Sequence, residues 1–144
     1  TDRTRDGGFD IDVNATAVRP RFLNLSATAP RLTFDRGVTL TIHGYALIGR
    51  SPTPDPGDPP AQLLPIEDRE LSISKTHLAV GIDDRGFWVS DRHSTNGSAV
   101  TGPDRERVRC VPGQRYYVLP GSTVHIGDRS FDVVMSDLSV AGPR

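Results

Sequence analysis

A chain of 144 residues, of which 35% are hydrophobic and 24% charged, has the size of one domain with one core and leaves segments that bury little. Its 14 glycines and 12 prolines interrupt it too often for a helical bundle. Seventeen basic against eighteen acidic residues give a net charge of -1, which excludes bulk attraction to nucleic acid or acidic lipid and leaves any anion binding to local arrangements.

Cys110 is the only cysteine, so neither an internal disulfide nor a cysteine-clustered zinc site is available. That fits a reducing compartment, and the expected location is the cytoplasm. No apolar run approaches the roughly 18 residues that span a bilayer, and the amino end has no secretory apolar segment. Membrane insertion is therefore not expected. A chain that opens on Thr1 without methionine is expected to be the cytosolic piece of a longer protein.

Residues 1–30 are polar and broken, with Asp6, Asp10 and Asp12 giving way to Arg19 and Arg21, and read as a flexible tail. From Arg31 the pattern turns to short apolar runs. Arg31 to Phe34 and Val38 to Ile42 flank the turn signal Asp35-Arg36-Gly37 and read as a hairpin. Further strands are expected at Tyr45 to Ile48, Leu78 to Ile82, Phe87 to Ser90, Ser98 to Val100, Val108 to Val111, Tyr116 to Leu119, Thr123 to Ile126 and Phe131 to Met135. Asp84-Arg85-Gly86, Asn96-Gly97, Pro112-Gly113 and Gly127-Asp128 are among the turns that separate them. Many short strands at this spacing predict an all-β sandwich or barrel over 31–137, followed by a short tail at 138–144.

From Ser51 to Pro60 five prolines remove backbone donors and forbid a central strand, so this stretch is expected to be a surface loop. It is either an inert insertion or one wall of a recognition face. Phe87 and Trp88 alternate along one strand, which predicts one ring in the core and the other at the surface.

Three short elements carry the chemistry in order: Gly49-Arg50 at a strand end, Ser74-Lys75-Thr76-His77 entering another strand, and Ser94-Thr95-Asn96-Gly97 in a later turn. An arginine fork, small hydroxyls and free backbone amides are what a phosphorylated side chain needs, since it brings roughly -1.5 to -2 charges and three acceptor oxygens. Arg50 alone reads as a solvated charge, and Asn96-Gly97 alone as a hairpin turn. Lys75 is the only lysine among seventeen basic residues. Ser74, His77 and Asp91 also hold the residue types of a hydrolase triad, but no Gly-x-Ser-x-Gly elbow surrounds Ser74. His43, His93 and His125 lack ligand spacing and read as structural or surface residues. No metal, cofactor or catalytic residue is expected.

Taken together with Leu119-Pro120-Gly121 and Ile126-Gly127-Asp128, the ordered set resembles the forkhead-associated domain, over Leu32 to about Val134. The resemblance implies a sandwich of two mainly antiparallel sheets whose loops at one end bind phosphothreonine. Carried onto this chain, it implies Arg50, Ser74, Lys75, Thr95 and Asn96 as phosphothreonine-binding residues, with Asn96 holding the peptide main chain. Gly49, His77 and Gly97 would support the site. Relatives carry an arginine two positions before the serine, where this chain has Ser72, which predicts weaker phosphate binding. The implied role is a non-enzymatic adaptor in Ser/Thr-kinase signalling, a monomer whose partner is a phosphothreonine protein, a kinase or its own tail. A phosphate-independent scaffolding sandwich is the alternative.

In the tail, Asp10-Ile11-Asp12-Val13-Asn14-Ala15-Thr16-Ala17-Val18-Arg19 sets a threonine after acids and before a cation. It is either an ordinary disordered segment or, being similar to the phosphorylatable amino-terminal segments of some bacterial members of that family, a segment whose candidate phosphorylation site is Thr16. Thr4, Thr28 and Thr53 lack this acidic approach.

Overall fold

The computed structural model describes residues 28–137. Eleven strands and no helix occur among them: β1 (Thr28–Phe34), β2 (Thr39–Thr41), β3 (Ala46–Gly49), β4 (Gln62–Pro65), β5 (Leu78–Asp83), β6 (Gly86–Asp91), β7 (Ser98–Thr101), β8 (Arg107–Arg109), β9 (Tyr116–Tyr117), β10 (Thr123–Ile126) and β11 (Arg129–Asp137). They form one sheet in the order β2-β1-β11-β10-β7-β8 and a second in the order β4-β3-β5-β6-β9. The fold is thus an all-β sandwich.

The tight hairpins follow from their turn residues. β5 and β6 pair from Leu78↔Asp91 to Asp83↔Gly86, and Gly86 takes the φ of +129° that a side chain resists. β10 alternates half-buried Thr123 and His125 with buried Val124 and Ile126, the period-2 signature of a strand with one face on the core. That core lies between the sheets. Leu32, Ile48, Val80, Val89, Val124 and Phe131 belong to it, and the Phe34 and Phe131 rings meet at 5.0 Å in a tilted pair. Burying a ring such as Phe131 contributes roughly 1.5 to 3 kcal/mol.

Two expectations need correction. Gln62–Pro65 forms a strand that the apolar pattern does not flag, because it is short, sits at a sheet edge and closes on a proline, where a missing donor is tolerated. β4 runs parallel to β3, with Ala46 opposite Gln62 and Gly49 opposite Pro65. A parallel pair requires a crossover of about a dozen residues, and the proline-rich segment is that crossover.

Trp88, the second correction, is not a surface ring. It is 5% exposed and clusters with Leu47 and Ala79, with Tyr45 and Ala61 packed against them. These residues share the face of the second sheet that points away from the core, and the Arg115 guanidinium covers the indole at 4.0 Å. Gly81 makes room for it, since a Cβ there would lie 2.3 Å from Trp88 Cζ2. Both faces of this sheet are therefore buried around β3, β5 and β6.

Candidate functional site

β3 ends at Gly49, and the chain beyond it is held against the loop before β5: Arg50 N–H donates to Ser74 O at 3.1 Å and Ser51 N–H to Lys75 O at 3.1 Å. The two backbones touch. A Cβ on Gly49 would lie 1.9 Å from Lys75 O, so only glycine fits. From this base the Arg50 side chain turns onto the same loop, and its Nε donates to Ile73 O at 2.6 Å. Among the described residues, Nε is the one guanidinium donor of Arg50 with a partner.

The loop after β6 closes over the same residues. Thr95 N–H donates to Ser74 Oγ at 2.9 Å, and Asn96 Nδ2 donates to Ser72 O at 2.9 Å. Ser72 Oγ in turn accepts from Asp128 N–H at 3.0 Å, which draws in the turn between β10 and β11. Ser72 is buried and acts as a junction between loops rather than as a surface group. Lys75, Thr95 and Asn96 are exposed, while Arg50 and Ser74 are half-buried. The structure thus brings Arg50, Ser74, Lys75, Thr95 and Asn96 onto one cluster of loops, with one Nδ2 proton of Asn96 already engaged within the chain.

His77 and Asp91 build the floor. His77 is fully buried; its Nδ1 accepts from Ser74 N–H at 3.0 Å and its Nε2 lies 2.9 Å from Gly97 O. A carbonyl only accepts, so the proton sits on Nε2 and the lone pair on Nδ1. Both nitrogens are committed to backbone, and Ser74 Oγ is committed to Thr95 N–H. The contact between nucleophile and base that a hydrolase triad needs is not formed. Burial pushes the His77 pKa down, outweighing the Gly97 carbonyl and the Asp91 carboxylate 3.8 Å away.

Asp91, also buried, accepts from Ser94 N–H at 3.0 Å, Ser94 Oγ–H at 2.6 Å and Ser98 Oγ–H at 2.5 Å. Burial raises its pKa, but the Ser94 and Ser98 hydrogen bonds outweigh that effect and hold the carboxyl below its ordinary range. Ser94 Oγ accepts from Gly97 N–H at 3.0 Å, and Gly97 completes the turn at a φ of +83°. Burial, with Asp91 as a lesser cause, lifts the Cys110 thiol to about 11, so this buried cysteine is a thiol at neutral pH.

The proline-rich crossover borders the site. Thr53 N–H donates to Thr76 Oγ1 at 2.9 Å, and the segment is clipped to the outer sheet face through Arg92, whose Nη2 lies 2.7 Å from Asp55 Oδ2 and 3.2 Å from Asp58 Oδ2. Arg92 Nη1 also donates to Tyr45 OH at 3.0 Å, and Tyr45 OH donates to Asp58 Oδ1 at 3.1 Å. Ser94 belongs to the Ser94-Thr95-Asn96-Gly97 element, whereas the bracing roles of Ser72, Asp91 and Arg92 carry no motif; only their sequence proximity to the recognised loops could have marked them. His43 and His93 are exposed, and His125 Nε2 lies 2.8 Å from Thr101 Oγ1, away from these loops. Thr16 lies outside the described residues.

Comparison with known proteins agrees with this architecture. The family model for the FHA domain matches residues 46–127. A solved structure described as "Rv0020c_FHA Structure" is 26% identical over 76% of this chain and 94% of its own, with a TM-score of 0.53. Another, from a "Structural and functional analysis of phosphothreonine-dependent FHA domain interactions", is 24% identical over 75% of this chain and 97% of its own, with a TM-score of 0.54. The FHA domain of human APLF, in complex with an XRCC1 bisphospho peptide, is 20% identical over 74% and 97% respectively, with a TM-score of 0.57. No curated protein sequence matches significantly.

Proposed function

The chain belongs to the FHA domain family, and from that membership we propose that it is a phosphothreonine-peptide-binding adaptor whose site is Arg50, Ser74, Lys75, Thr95 and Asn96. One observation carries the reading: Arg50 Nε and Thr95 N–H converge on consecutive residues, Ile73 O and Ser74 Oγ, at 2.6 Å and 2.9 Å. A fixed cation thereby stands beside a hydroxyl and exposed loop residues, which is the donor set that a phosphate dianion requires. Arg50 is the planar fork, Ser74 a hydroxyl donor and Lys75 a mobile point charge. Gly49, His77 and Gly97 keep the three loops at contact distance. Asn96 engages the peptide main chain through its remaining amide groups.

Fluorescence anisotropy with matched phosphothreonine, phosphoserine and unmodified peptides tests this. Phosphothreonine should bind tightest, phosphoserine tens to a few hundredfold weaker for the loss of about 1 to 3 kcal/mol at a methyl niche, and the unmodified peptide negligibly. Equal binding of modified and unmodified peptides would favour the scaffolding alternative.

As part of the same proposal, residues 31–137, with Thr28–Pro30 added by β1, form the binding module, the rest of 1–30 and 138–144 are tails, and the protein works in the cytoplasm beside a Ser/Thr kinase. Phosphorylated Thr16 occupies the site in cis, helped by a linker that raises its effective concentration to roughly the millimolar range. Peptide mapping after kinase treatment should find the phosphate on Thr16, with external peptide binding lost in the treated protein and kept in Thr16→Ala.

A further inference from the structure

Resting on the phosphothreonine-site reading, we propose that Asp68 is a positioning residue for that site, acting on the Arg50 guanidinium through the backbone of Ile73. Asp68 lies in the loop between β4 and β5 and is buried. Its Oδ2 accepts from Ile73 N–H at 2.6 Å, while Ile73 O accepts from Arg50 Nε at 2.6 Å. The Ile73 residue is thus held at both polar ends, by a carboxylate on one side and by the site's arginine on the other. Asp68 is itself held in place. Its own carbonyl accepts from Leu71 N–H at 3.3 Å, and the preceding carbonyl, Glu67 O, accepts from Nη1 of buried Arg129.

The other oxygen, Asp68 Oδ1, is buried and has no partner among the described residues. A buried carboxylate oxygen left unpaired is unfavourable, so filling space or closing a turn would be served more cheaply by another side chain. What Asp68 supplies is a short, charge-assisted anchor on Ile73 N–H. Without it the Ile73 backbone is anchored only on its carbonyl side, where Ser74 N–H, in the same peptide plane as Ile73 O, donates to His77 Nδ1, and the acceptor that sets the direction of the Arg50 fork shifts.

A double-mutant cycle on phosphothreonine-peptide affinity tests the relay. Asp68→Ala alone should weaken binding five- to tenfold, yet add less than twofold once Arg50→Ala is present, because the residue acts only through Arg50. Asp68→Asn, which keeps an acceptor for Ile73 N–H, should stay within threefold of the parent. An equal loss in both Arg50 backgrounds, or an Asn variant as weak as the Ala variant, overturns the relay. Should Asp68→Ala not fold, hydrogen exchange of the Arg50 Nε–H in Asp68→Asn decides: two- to threefold faster than in the unmutated protein supports the relay, and an unchanged rate overturns it. If the unmutated protein binds no phosphothreonine peptide while the Arg50 Nε–H is protected, the functional reading fails and the geometry of the relay stands.

Discussion

In the proposed site recognition would turn on Arg50, whose backbone and guanidinium are both tied to the loop that carries Ser74. Truncating one partner of a desolvated charged pair costs about 2 to 5 kcal/mol, so Arg50→Ala should lower phosphopeptide affinity by at least about tenfold in an anisotropy titration. Arg50→Lys keeps the charge but loses the Nε contact to Ile73 O and should recover only part of the loss. Unchanged affinity in the Ala variant counts against the site.

His77 makes a different prediction. Its pKa is lowered from 6.5 by burial, so the folded protein resists a proton that the unfolded chain accepts. The stability contributed by the neutral ring is complete above pH 6.5 or so and is lost as the pH falls toward the lower folded value. Protonating Nδ1 also breaks the hydrogen bond from Ser74 N–H. His125 shifts in the same direction, through burial and Arg107, so the measurement belongs in a His125→Gln background. There, the urea midpoint should fall between pH 7 and pH 5, and His77→Gln should flatten that slope. A slope that survives the substitution would assign it to other groups. Asp91 acts in a lower window, below its ordinary 3.8.

Among the elements, the crossover from β3 to β4 does most to shape the site. It leaves β3 beside Arg50, passes over the outer face of the second sheet and delivers β4, whose end leads back toward Asp68 and Ser74. Its length follows from the parallel pairing it must close, and its five prolines stiffen it without losing hydrogen bonds that a strand would need. Asp58 is held below its ordinary range first by the Asp55 N–H and then, against burial, by Arg92 and Tyr45. Partly exposed ion pairs are worth about 1 kcal/mol or less, so Arg92→Ala should barely change global stability. Amide hydrogen exchange over 53–60 should nonetheless accelerate severalfold while β3 and β5 stay protected. Protection unchanged over 53–60 would mean that the prolines and the Thr53–Thr76 contact hold the crossover alone.

At the scale of the whole molecule, the described residues make two packed sheets with the candidate site on the loops at one end, so binding at the proposed site would be linked to stability through those loops. A phosphothreonine peptide at about a hundred times its Kd should stabilise the folded state by about 2.7 kcal/mol. The shift in melting temperature should be absent for the unmodified peptide. With a net charge of only -1, long-range steering is weak, and the salt dependence of binding should reflect the few local cations.

The amino-acid sequence by itself determined the strand class, most turns and the loops that carry Arg50, Ser74 and Asn96. Those features rest on local rules: period-2 burial, glycine at positive φ and short motifs adjacent in the chain. Only the tertiary structure decided that Gln62–Pro65 is a strand, that the outer sheet face covers Trp88, and that Asp68 reaches Arg50 through Ile73. An edge strand with one buried position leaves too faint a pattern to read, and a parallel partner is chosen by the path of the crossover. Hydrogen bonds such as Asn96 to Ser72, 24 residues apart, form because the sandwich brings loop ends together, and no local preference encodes that meeting.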